Sequence, residues 1–139
     1  MTVVVDTSLV FALWAARDKN HAAAVEWYQA VDDDLVTTPL AAAEMDHLVR
    51  RTRAEGTARI VIANLATGAL RVEWWEDAVR TCWKIVDVRP DVGLVDASLV
   101  ALAAHRKTTR IATFDERHFR TLTPLTGEPA FTLLPADAN

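Results

Sequence analysis

The stretch Gly93-Leu-Val-Asp96-Ala-Ser-Leu-Val-Ala-Leu-Ala-Ala104 limits most strongly what this chain can become. A helix apolar on every side has to be covered by the rest of the protein. Its one carboxylate, Asp96, falls in the first turn, where unpaired backbone N–H groups favour negative charge. Taken alone, Asp96 is explained as a residue that complements the helix dipole. Three further carboxylates in equally demanding positions call for a second explanation.

A chain of 139 residues with 51% hydrophobic content can enclose such a helix in one domain, predicted over residues 1–135 with a short tail at 136–139. The β-branched run Thr2-Val-Val-Val5 leads at once into Asp6-Thr-Ser8 and a periodic apolar stretch, predicting a buried strand, a tight turn and a helix. Further helices are predicted from Asn20 or His21 into the Trp27 region, from Pro39 to Ala54, from Thr57 to Ala66 and from Trp75 to Val88. Strands are predicted at Leu35–Thr38, Leu70–Trp74 and Arg110–Phe114, with a short helix from Asp115 through Phe119 and an edge strand at Phe131–Leu134. Strands alternating with helices imply an α/β fold, a three-layer α/β/α sandwich around a central, mostly parallel sheet.

Ligands of such sheets bind at the carboxyl ends of the strands. Asp6 and Asp115 both stand there, although each singly is accounted for as a helix cap. Glu44 shares a helical stripe with Leu40 and Leu48, expected to face the core, where an unpaired charge is expensive and demands a cation or a metal. Asp46 has Arg50 four residues on, a plain surface pair, and Arg50, Arg51 and Arg53 suit a helix end. If Asp6, Glu44, Asp96 and Asp115 converge, they stay ionised together only in the company of cations. Hard oxygen ligands of this kind suit Mg²⁺ or Mn²⁺, which activate water and stabilise the leaving oxygen of a phosphodiester. The net charge of −4 excludes a chain that holds nucleic acid by bulk positive charge, yet bound divalent cations would offset it.

These motifs carry a resemblance. The chain resembles PIN-domain ribonucleases, most closely the VapC toxins of bacterial toxin–antitoxin pairs, through Val-Val-Asp6-Thr-Ser-Leu, Ala43-Glu44-Met, Gly93-Leu-Val-Asp96-Ala-Ser-Leu-Val and Ile111-Ala-Thr-Phe-Asp115-Glu-Arg-His-Phe119. Order and approximate spacing agree from Val3 to about Pro135. The resemblance implies a metal-dependent endoribonuclease with Asp6 and Asp96 holding Mg²⁺ (or Mn²⁺) and Glu44 and Asp115 completing the catalytic pocket. It also implies a transfer, ribosomal or messenger RNA substrate, a VapB-type antitoxin and a homodimer. Ser8 and Thr113 are candidate hydrogen-bond partners of the acids, with structural turn roles equally open. Arg106, Lys107, Arg110 and Arg117 are candidate phosphate contacts.

Other chemistry finds little support. Glu44-Met-Asp-His47 has the spacing of di-iron bundles, but those need it twice. Serine occurs only at 8 and 98, outside any nucleophile elbow, and four scattered glycines form no phosphate loop. His118 is expected to be a residue near a helix end. The adjacent Trp74 and Trp75 cannot both face one side of a strand, which leaves one for a partner surface. The lone Cys82 and the absence of a signal-peptide pattern predict a cytoplasmic protein, and no apolar run reaches the ~18 residues of a membrane span. Two other readings stay open on the residues: a catalytically silent PIN-like module that binds or regulates with its antitoxin, and a hydrolase of small phosphates.

Overall fold

The computed structural model describes residues 1–52 and 55–138; Arg53 and Ala54 at the predicted end of the third helix, and Asn139, lie outside them. Five strands form one sheet in the order β3-β2-β1-β4-β5: β1 (Thr2–Val5), β2 (Asp34–Thr37), β3 (Arg71–Val72), β4 (Arg110–Ala112) and β5 (Thr132–Leu134). Every pairing is parallel, where the sequence predicted mostly parallel. Val3, Val4, Val36, Ile111 and Leu133 have no exposed surface, because a parallel sheet is covered on both faces.

The helices are α1 (Thr7–Trp14), α2 (His21–Ala30), α3 (Pro39–Arg51), α4 (Glu55–Thr67), α5 (Ala78–Val88) and α6 (Leu94–His105). The chain steps from β1 to β2 to β3 in one direction and returns past β1 to β4. Right-handed crossovers then put α1–α4 on one face and α5 and α6 on the other. Packing divides the same way, with α1 on α2 and α3, α3 on α4, and α5 on α6. The all-apolar helix of the sequence is α6, buried without a break from Ala97 to Ala103 because α5, α3 and β1 all pack on it.

Where α3 and α6 begin, hydroxyls lock them together. Thr38 precedes Pro39 and caps α3, its Oγ1 accepting from the Ala41 N–H at 3.2 Å. That hydroxyl lies 2.8 Å from the Ser98 Oγ, which donates to the Val95 carbonyl at 2.6 Å. With Ser98's hydrogen committed, the Thr38 hydroxyl is the donor between the two. The link fixes the spacing of two helices that each carry an acid.

Local predictions differ from the structure in three places. The third strand covers only Arg71–Val72 and α5 starts at Ala78, so Trp74 and Trp75 belong to neither. Trp75 instead stacks on His105, ring centroids 4.2 Å apart and planes 4° apart, covering the far end of α6. No helix follows Asp115. The backbone turns through residues 117–121 because Phe119 is drawn into the core, edge-on to Phe131. Among the described residues no helix is long and apolar enough to cross a membrane.

Leu99, fully buried in α6, tests the weight of this packing. Leu99→Ala should lower unfolding free energy in urea by about 2–5 kcal/mol. Val88→Ala, at a position 78% exposed, should stay within about 0.5 kcal/mol of the parent.

Candidate functional site

The sheet changes direction at β1, whose neighbours β2 and β4 are reached by connections on opposite faces. Such a switch point opens a crevice beyond the strand ends. Here the crevice is an open cleft of about 390 Å³ walled by Asp6, Ser8, Glu44, Leu48, Asp96, Asp115 and His118. Asp6 follows β1, Glu44 comes from α3, Asp96 from the first turn of α6 and Asp115 from just beyond β4. The structure thus brings together acids spread over more than a hundred positions of sequence.

Asp6 is the most deeply set, 4% exposed. It stands at the N-cap position of α1 yet makes no capping bond with its side chain. Its Oδ2 instead accepts from the hydroxyls of Ser8, at 2.8 Å, and Thr113, at 2.7 Å. Both hydroxyls are oriented by the backbone, Ser8 accepting from the Phe114 N–H and Thr113 from the Asp115 N–H, each at 2.9 Å. Burial pushes the Asp6 carboxyl up to about 6; the Thr113 and Ser8 bonds pull against that rise and the Asp96 charge adds to it. A buried acid held open by two hydroxyls, beside a second acid, is a site that gains from a cation.

Glu44 is a correction to the sequence reading. The buried stripe of α3 is Ala41, Met45 and Val49, and Leu40, Glu44 and Leu48 lie one residue, or about 100°, to its side. Glu44 is therefore half-buried on the rim of the cleft, where no ion pair is required of it. Among the described residues its side chain makes no hydrogen bond. Asp46 and Arg50 form the expected pair on the outer face, 2.9 Å apart.

Asp115 differs again. Arg117 grips both of its oxygens, at 3.0 and 3.1 Å, and holds its carboxyl below the usual range. The Arg117 side chain is 81% exposed. The other proposed phosphate contacts lie elsewhere. Arg106 ends α6, ten residues or about 15 Å from Asp96, and pairs with Glu73 and Thr2. Arg110 opens β4 and pairs with Asp33 at 2.7 Å. Lys107 follows Arg106, and none of these three lines the cleft.

His118 is the residue that sequence reasoning passed over. Its Nδ1 lies 2.7 Å from Oδ2 of Asp96, and it lines the cleft. Its sequence signal was the His118-Phe119 pair that closes the strand-end motif, three positions beyond Asp115.

A divalent cation fits this donor set in one sense and is limited by it in another. The acids are hard oxygen donors of the type Mg²⁺ and Mn²⁺ prefer. Among the described residues no three acid, imidazole or thiol groups approach one point closely enough to cage an ion. Mg²⁺, which keeps several waters and takes one or two carboxylates, matches such an open arrangement.

Residues 3–123 match the family model of the PIN domain. The chain is 35% identical to Ribonuclease VapC26 of Mycobacterium tuberculosis over 138 residues, covering 96% of this chain and all of that protein. Ribonuclease VapC29 of the same organism is 33% identical over 107 residues, 74% of this chain and 78% of that one. Among solved structures, the chain is similar to M. tuberculosis VapC20, a toxin that cleaves the sarcin–ricin loop. The TM-score is 0.75 at 23% identity, over 81% of this chain and 89% of the other. It is also similar to VapBC2 from Rickettsia felis, with a TM-score of 0.64 at 11% identity, over 90% and 96%. At those identities the solved structures speak to the fold.

Asp6 gives the metal-free protein a defined pH dependence. Its carboxyl rises from an ordinary 3.8 to about 6 on folding. The folded state therefore binds the extra proton, and stability falls as pH rises from about 4 to about 6, by roughly 3 kcal/mol in all. Asp91 and Asp137, each held at about 2 by an arginine, run the other way, their stabilisation being gained mostly below about pH 4. Urea denaturation in EDTA should show the decline, and Asp6→Asn should flatten it.

Proposed function

The chain belongs to the PIN-domain family, and on that footing we propose that it is a divalent-metal-dependent endoribonuclease, the toxin of a VapBC-type pair. The observation that carries the reading is Asp6, a carboxylate 4% exposed and raised to about 6, facing Asp96 across a cleft at the strand ends. An uncompensated pair of acids in that position costs stability, and a cation reverses the cost.

In this reading Asp6 and Asp96 hold the ion, with Mg²⁺ the expected metal and Mn²⁺ able to replace it. When bound, the ion would supply an activated water and charge stabilisation for the leaving oxygen of a phosphodiester. The Ser8 and Thr113 hydroxyls keep Asp6 ionised and oriented toward the cleft. Glu44, free of competing hydrogen bonds among the described residues, is placed to orient the attacking water. Arg117 meets the phosphate backbone while Asp115 anchors it between turnovers. Cleavage of RNA in an open cleft of this size leaves target choice to surface shape, so transfer, ribosomal and messenger RNA are all within the class.

The same reading carries a VapB-type antitoxin as inhibitor, a homodimer as the assembly, one nuclease domain over residues 1–135 and a cytoplasmic setting. Val79 and Trp83, each 61% exposed on α5, are apolar surface available for such contacts. The buried free thiol of Cys82 agrees with a reducing compartment.

Purified protein incubated with total bacterial RNA and Mg²⁺ or Mn²⁺ should give discrete fragments that disappear with EDTA. Partners of metal ligands are typically worth 10–100-fold in activity, so Asp96→Asn, altering a ligand itself, should lose about 100-fold or more. Folded, metal-loaded parent protein that leaves every RNA intact would redirect the reading to a silent module acting with its antitoxin.

A further inference from the structure

We propose that His118 is a positioning residue, which orients the Asp96 carboxylate for metal binding by donating a hydrogen bond from its Nδ1 to Oδ2. The proposal rests on the reading of Asp96 as a metal ligand. An ionised carboxylate has no hydrogen to give, so in the 2.7 Å contact the imidazole Nδ1 is the donor. Among the described residues His118 is the one side chain hydrogen-bonded to Asp96. One carboxylate oxygen is thereby engaged, and the other is left to act as ligand.

Three of the four acids are held, each by a different means. Asp6 has two hydroxyls, Asp115 has a guanidinium, Glu44 has no hydrogen-bond partner among the described residues, and Asp96 has the imidazole. Asp96 lies in the first turn of α6 with its side chain 24% exposed, and the imidazole is the contact that holds it there. A ligand whose orientation is not fixed loses entropy when the ion arrives, and a neighbour that fixes it beforehand strengthens binding.

His118 is suited to the task because its own backbone is immobilised. Phe119, 2% exposed, packs edge-on against Phe131 with ring centroids 6.5 Å apart. Arg89 donates to the Thr121 carbonyl at 3.2 Å and to its Oγ1 at 3.0 Å. Arg120 pairs with Asp137 beyond β5. The turn after β4 is thus pinned at the three residues that follow the histidine, which explains why it is a turn and not the helix the sequence predicted. The imidazole ties that turn to the first turn of α6.

The test is Mn²⁺ binding to the full chain by calorimetry, with RNA cleavage and thermal unfolding in EDTA measured beside it. His118→Leu should weaken Mn²⁺ binding about 10–100-fold. It should slow cleavage at limiting metal and recover most of the parent rate at saturating Mn²⁺. His118→Asn, whose amide nitrogen can take the place of Nδ1, should regain most of the affinity, whereas His118→Gln, which reaches toward the Nε2 position, should not. The Asn and Gln pair carries the comparison if the leucine variant does not fold. Unchanged Mn²⁺ affinity in His118→Leu, or equal loss in the Asn and Gln variants, overturns the proposal. Asp96→Asn separates the two readings: if it too binds Mn²⁺ like the parent, the metal-ligand assignment of Asp96 fails; if it alone loses binding, only the role of His118 fails.

Discussion

A carboxylate buried at the end of the central strand governs this structure. Asp6 is fixed by its place after β1, and the surrounding chain is arranged to tolerate it. Two hydroxyls donate to one of its oxygens, and each hydroxyl is aimed by a backbone N–H from the segment after β4. The sheet's reversal at β1 leaves the space into which the carboxylate looks. The same reversal brings the start of α6 across to face it. Hydrogen bonding and topology together make an acid pocket that hydrophobic packing alone would have closed.

The second organising device is small and apolar in surroundings. Thr38 and Ser98 join the beginnings of α3 and α6 through a buried hydroxyl pair, and Glu44 and Asp96 ride on those helices. Around it, α6 alternates alanines, which let neighbours approach closely, with the buried Leu99, Val100 and Leu102. Position along the helix axis is then set by directional bonds, which fail sharply with displacement, in a way that smooth apolar contact does not.

Much of this was legible in the sequence because it depended on local patterns. Thr2-Val-Val-Val5 followed by Asp6 announces a buried strand and a turn, and the unbroken apolar character of α6 announces a covered helix. The strand-end positions of Asp6 and Asp115 followed from the same patterns. What stayed hidden was set by distant contacts. Glu44 was assigned to the core because Leu40 and Leu48 flank it, but tertiary packing selected the row beginning at Ala41. Trp75 lies outside the helix predicted to begin with it and stacks on a residue thirty positions away. Arg106 and Arg110 looked free for phosphate, yet Glu73 and Asp33 claim them and neither lines the cleft. His118 read as a helix-end residue because nothing local reveals that Phe119 pulls its segment into a turn.

The bond between Thr113 and Asp6 spans 107 positions of sequence. During synthesis, β1 emerges first and the segment that completes its carboxylate's surroundings emerges near the end, after five of the six helices and α6 itself. Contacts of such separation form late in folding, because the intervening chain must be ordered before they repay its entropy. An unfinished or partly folded chain accordingly has no acid pocket. For a protein that would cut RNA, a contact this distant in sequence ties the acid pocket to a chain ordered all the way from β1 to the segment after β4.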